Sequence, residues 1–102
     1  MKKITSFYYL NYPDQPPENP LDAYSEVYVE IGNEKSDINN FEKTYSLHVY
    51  TANYIKRLLH LSSNQFIYLH SGVIVEKFED TTIREVLDTL LDKIDDFGSV
   101  VS

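Results

Sequence analysis

Residues 80–98 read DTTIREVLDTLLDKIDDFG, and this stretch decides the fold. Ile83, Val86, Leu87, Leu90, Leu91, Ile94 and Phe97 recur at offsets of three and four, the spacing of one face of an α-helix. At about 100° per residue they fall within roughly a third of the helix circumference. Glu85, Asp88, Asp92, Asp95 and Asp96 collect on the opposite side. Such a helix buries one face and presents a row of carboxylates with the other. Thr82 and Glu85 have capping-box spacing near its start, with Asp80 and Thr81 as alternative N-caps. Gly98 suits the left-handed residue that commonly ends a helix. Burial of the apolar face should contribute about 1.5–3 kcal/mol per side chain before conformational entropy is subtracted, and Leu90 is the expected centre of the stripe.

Working outward, the partner of that face is a sheet. Residues 4–12 alternate, with Ile4, Ser6, Tyr8, Leu10 and Tyr12 set against Thr5, Phe7, Tyr9 and Asn11, and Pro13 stops the strand. Residues 13–20 hold all four prolines and read as a stiff, extended connection. In residues 24–31, Val27, Val29 and Ile31 face one way and Glu26, Tyr28 and Glu30 the other. A polar loop of turn formers follows Gly32, and residues 41–50 form a third strand with Tyr45, Leu47 and Val49 on one side. Two strands joined by one loop pair antiparallel by default. Their outer face then sets Glu26, Tyr28 and Glu30 beside Thr44, Ser46, His48 and Tyr50.

Thr51 is the expected N-cap of a short helix through Leu61, whose apolar side is Ala52, Ile55, Leu58, Leu59 and Leu61. Residues 66–70 and 73–78 are β-rich, joined by Ser71-Gly72 either as a hairpin or as one bent strand with a glycine bulge. The order is β, β, β, α, then one or two strands, then α. It predicts a single α+β domain over residues 1–102: a largely antiparallel sheet of four to five strands, packed against the long C-terminal amphipathic helix and one short helix.

Composition excludes several functions. There is no cysteine, so neither a disulfide framework nor a thiolate metal site can form. No apolar run approaches the roughly 20 residues of a membrane span, and residues 4–12 make a poor signal sequence. A cytoplasmic location is the expectation. The net charge is −7, concentrated in residues 14–42 and 76–102, while residues 43–75 are net positive. Phosphates would be repelled, so neither nucleic acid nor an anionic membrane is an expected partner; a basic protein is.

Catalytic signatures are missing. Gly32, Gly72 and Gly98 are too far apart to cradle a phosphate, and His48, His60 and His70 stand on separate elements, without the paired spacing of a zinc site. No enzyme, cofactor or metal is expected; the alternative is a small enzyme or ligand-binding domain with a pocket around His48 and Tyr50. Two surfaces remain as candidates for protein binding. One is the helical row of Glu85, Asp88, Asp92, Asp95 and Asp96. A charge run is ordinarily solvated surface, but Asp95 and Asp96 in the last turn oppose the helix dipole at about 0.3–1 kcal/mol each. The other is the sheet face of Glu26, Tyr28, Glu30, His48 and Tyr50, since tyrosine is enriched in interfaces.

The middle of the chain, about residues 20–94, resembles the immunity protein 8 family of bacterial polymorphic toxin systems, of the contact-dependent inhibition type. Ile31-Gly32, the loop through Ser36-Asp37 and Phe41 are similar to that family's Ile-Gly, polar loop and Phe-initiated strand. Val49-Tyr50-Thr51-Ala52-Asn53-Tyr54-Ile55 matches its helix-opening segment, with Tyr54 where the family usually has tryptophan and Ala52 where it has proline. A strand ending at Phe78 and the amphipathic helix complete the pattern. The resemblance implies a non-catalytic protein that binds and neutralises one cognate toxin domain in the producing cell's cytoplasm. It also implies that Gly32 and Tyr54 serve the scaffold.

Overall fold

A computed structural model describes residues 2–62, 69 and 72–101. Strands β1 (Lys3–Tyr9), β2 (Tyr24–Gly32) and β3 (Lys43–Thr51) form an antiparallel meander. Helix α1 (Ala52–Leu61) follows, and β4 (Gly72–Val75) returns parallel to β3. The parallel pairing follows from the intervening helix, which carries the chain back to its starting end. Helix α2 (Asp80–Leu90) passes through a 3-10 turn at Leu91–Lys93 into α3 (Ile94–Phe97). The short β5 (Ser99–Val100) then pairs with β3 antiparallel. The sheet order is β1-β2-β3-β4, and β5 shares with β4 the edge of β3, at Tyr45–Ser46. The α+β architecture, a largely antiparallel sheet with a long C-terminal helical segment, is as expected.

The core lies between that segment and one face of the sheet. Val27, Val29 and Ile31 of β2 and Tyr45, Leu47 and Val49 of β3 are buried against Phe78, Ile83, Leu87 and Ile94. A bulge between Ile4 and Ser6 brings Ile4 onto the same inner face as Phe7 and Tyr9, which strict alternation would have separated.

Several boundaries differ from the sequence reading. The helix starts at Asp80 after Glu79, which makes no side-chain cap bond, so Thr82 and Glu85 do not form a capping box. Thr82 already lies inside the first turn. Leu90 is only half-buried, and the centre of the apolar stripe is Leu87. Ile94, in phase with Ile83 and Leu87 at about 100° per residue, stays in the core across the 3-10 turn. Gly98 is extended at φ −120°, not left-handed. A Cβ there would lie 3.1 Å from the Ser46 carbonyl oxygen, a tight contact as the chain runs into β5. The strand beyond Gly72 ends at Val75 rather than Phe78. The strand expected over residues 66–70 and its junction at Ser71 lie outside the described residues. Thr51 does cap α1, accepting from the Tyr54 amide at 3.2 Å.

Candidate functional site

The helical segment covers one face of the sheet; the other face carries the candidate site. Pairing places Glu26 opposite His48, Tyr28 opposite Ser46, Glu30 opposite Thr44 and Tyr24 opposite Tyr50. On the other flank of β2, Tyr8 pairs with Tyr28 and Ser6 with Glu30. Period-two alternation thus sets the side chains of three strands side by side. Glu26, Tyr28, Glu30 and His48 are half-buried, and Tyr8 is exposed.

Ring stacking organises one end of this face. Tyr24 lies nearly parallel to His48 (centroids 5.9 Å apart, planes at 10°), to Tyr50 (5.0 Å, 28°) and to Tyr54 of α1 (5.5 Å, 20°). The Tyr24 hydroxyl and His48 Nδ1 share a 2.7 Å hydrogen bond whose direction follows the imidazole tautomer. Desolvation first, then the neighbouring Tyr50, Glu26 and Tyr54, raises the Tyr24 pKa, so the phenol stays neutral in ordinary buffers. Tyr50 is only 6% exposed; its ring supports the stack rather than presenting a surface. Tyr54 is placed by Thr51, which also accepts from the Ala23 amide at 2.9 Å and so ties α1 to the start of β2. Arg57 lies over the Tyr54 ring at 5.3 Å and donates twice to Asp22, at 2.8 and 3.1 Å. In the middle of the face the Ser46 hydroxyl donates to Glu26 Oε2 at 2.8 Å, fixing that carboxylate across the strands.

The acidic helix row lies on the far side of the molecule, so the structure does not join the two sets of candidates. Glu85, Asp88, Asp92, Asp95 and Asp96 are all exposed. Asp88 pairs with Arg84 at 3.6 Å within the helix. Asp95 fastens the helical segment to the sheet. The hydroxyl of Tyr45, itself 2% exposed, donates to its Oδ1 at 2.6 Å, and Lys2 stands 3.8 Å from Oδ2. The Tyr45 hydrogen bond is the main cause that holds the Asp95 carboxyl below its usual range, and it raises the phenol's pKa in turn. A matching contact stands at the other end of the helical segment, where the Tyr9 hydroxyl donates to Asp80 Oδ1 at 2.5 Å. Asp95 and Asp96 do not end one continuous helix but lie in the single turn of α3, beyond the 3-10 turn, and Asp95 is held there by a contact to the sheet, a signal that helix periodicity does not carry.

Tyr8 and Tyr24 join the site although sequence reasoning did not single them out, and Tyr54, expected to serve the scaffold, stacks beside them. Alternation could have found the first two, since Tyr8 and Tyr24 are in phase with Tyr28 and Glu26. Tyr54 needed the path of α1. Among the described residues no group of three or more His, Asp or Glu is arranged to hold a metal ion. His60 is exposed on α1, and His70 lies outside the described residues. Among the described residues no helix is long and apolar enough to cross a membrane. Together these features define a small α+β domain with a polar aromatic sheet face. The chain matches no family model, no curated protein and no solved structure.

Proposed function

We propose that this domain is a non-catalytic immunity-type protein that binds one cognate toxin domain in the cytoplasm of the producing cell. The single observation behind this reading is the outer sheet face, where Tyr8, Tyr24 and Tyr28 stand beside Glu26, Glu30 and His48 across three strands. Tyrosine gives a large contact area for little lost rotamer freedom, and carboxylates fixed among the rings pair with lysine or arginine of a basic partner. The resemblance to immunity proteins supplies the partner class, and the net charge of −7 suits a toxin whose own surface is basic, as in a nuclease. Inhibition is by occlusion: the acidic face covers the groove that would hold the toxin's anionic substrate. Nucleic acid and membrane are not partners in this scheme, and no cofactor takes part.

Co-expression with the toxin domain encoded beside this chain tests the reading. The protein is expected to rescue growth and to co-purify with the toxin. The double variant Glu26→Lys/Glu30→Lys is expected to lose both effects while keeping a cooperative melt. Rescue that survives this change but fails with Asp88→Lys/Asp92→Lys would move the interface to the helix. No rescue by the parent protein sinks the function itself.

A further inference from the structure

A cleft of about 440 Å³ lies along β1 at the edge of the sheet. Phe7, Tyr8, Tyr9 and Tyr12 line it together with Asp14 of the proline loop and Asp80 at the start of α2. A second cleft of about 270 Å³ adjoins it, sharing Tyr9, Pro16 and Asp80 and adding Glu79. Among the described residues no lysine or arginine lines either one, although Lys77 pairs with Glu79 at 3.4 Å.

The two carboxylates are poised unequally. Asp80 accepts the Tyr9 hydroxyl on Oδ1, and among the described residues Oδ2 has no donor. Asp14 has no hydrogen-bond or ion-pair partner among the described residues. Tyr9 is held in turn by an edge-on contact with Phe78 at 4.9 Å, and Tyr12 by another at 5.5 Å. The opposite wall is stiff, because Pro13, Pro16 and Pro17 fix their own φ. The far end of the loop is tied down by the Phe78 amide donating to the Pro20 carbonyl at 2.6 Å. Little ordering is therefore needed when the cleft fills.

We propose that this cleft takes an arginine side chain of the protein partner. A planar guanidinium can lie on a tyrosine face and at the same time fork onto a carboxylate, which lysine does less well. The chain already makes this arrangement once within itself, with Arg57 over Tyr54 and bidentate on Asp22, and Arg84 lies over the Phe7 ring at 5.7 Å. The cleft offers the same pairing of tyrosine ring and carboxylate, with Asp14 facing no cation among the described residues. The source of that cation rests on the proposed function; the chemistry of the cleft does not.

The test has two arms on the intact protein. In the first, Nα-acetyl-arginine amide is titrated in and followed by amide chemical shifts, with the uncharged norleucine analogue as control. Shifts confined to residues 7–16 and 79–81 are expected for the arginine probe alone, with affinity weakened roughly fivefold by Asp14→Asn and unaltered by Glu34→Gln on a distant loop. Asp14→Asn is the informative variant, because Asp80→Asn also removes the partner of Tyr9. Equal shifts from norleucine amide, scattered shifts, or an unchanged Asp14→Asn titration would overturn the assignment. In the second arm the co-purified toxin complex is dissociated, and Asp14→Asn is expected to release the toxin faster. A complex that forms but ignores Asp14 removes this cleft from the interface and leaves the proposed function standing. If no complex forms, the proposed function and the occupant fall together, while the probe arm still reports on the cleft.

Discussion

The two faces of the sheet use tyrosine in opposite ways. On the inner face Tyr9 and Tyr45 commit their hydroxyls to Asp80 and Asp95, which fastens each end of the helical segment to the strands. On the outer face Tyr24, Tyr50 and Tyr54 stack on one another and on His48, and Tyr8 stands against Tyr28 at 5.6 Å. The inner set joins layers of the fold; in the outer set Tyr50 is buried in support of the stack, while Tyr8 is exposed and Tyr24, Tyr28 and Tyr54 are half-buried. The same residue type thus separates into structural and surface roles according to whether a helix lies above it. Composition alone does not show that separation.

The contrast can be broken most forcefully at its base. Leu87 is 1% exposed, so Leu87→Asp places an unpaired charge at the core and should cost roughly 5 kcal/mol or more, as much as a small domain's whole stability. No cooperative melt is expected by circular dichroism, whereas the adjacent exposed Asp88→Asn should change stability by no more than about 0.5 kcal/mol. Similar melting of the two variants would mean that the helix does not cover the sheet as described.

Next in size is the junction of β3 and β4. A Cβ at Gly72 would collide with the His48 backbone carbonyl, which cannot rotate away as a side chain could. Gly72→Ala should destabilise by about 2 kcal/mol or more and loosen the stack through His48. Hydrogen exchange at the residue 48–51 amides checks this, and unchanged protection there would exclude the close parallel pairing.

The inner clasp predicts a pH signature. Asp95 has a folded pKa below its usual 3.8, so its contribution is complete above that value and is lost as pH falls through the depressed one. Tyr45 has a folded pKa above its usual 10.0, so its contribution is complete below that value and is lost as pH rises through the raised one. Tyr45→Phe should therefore lower the Tm most near neutrality, and the gap to the parent should narrow below about pH 4. A gap independent of pH would show that the hydroxyl bond contributes little. The smallest effect belongs to the outer face. Tyr24→Phe removes the hydrogen bond to His48 but leaves the ring stack, and should cost about 0.5–1 kcal/mol. A larger loss than for Tyr45→Phe would reverse the assignment of the two faces.

The strands and the amphipathic helix were legible because both rest on short periods: Val27, Val29 and Ile31 declare a buried face by themselves, as do Ile83 and Leu87. What could not be read depends on contacts between distant residues. The Thr5 bulge and the close approach at Gly98 each answer to a neighbour more than twenty residues away in the chain, and no local pattern encodes them. The candidate site divides in the same way. Glu26, Tyr28, Glu30 and His48 were found by alternation, whereas the tie between Asp95 and Tyr45 appears only when helix and sheet meet.

The sharing of one edge of β3 by β4 and β5 bears on how the chain reaches this state. β3 sits at the centre of the sheet, and its pairing is not complete until Ser99 and Val100 have been made and brought back to Ser46 and Tyr45. Its other partners lie on both sides of it in sequence, and α2 must pass over the inner face before β5 can arrive. Closing such separated contacts is slow, because loop entropy is lost before the pairing repays it. Until then the half of β3 nearest Tyr45 has an open edge, the kind of surface on which another chain's strand can pair. The two residues of β5 add little to the core. Their effect is to close that edge.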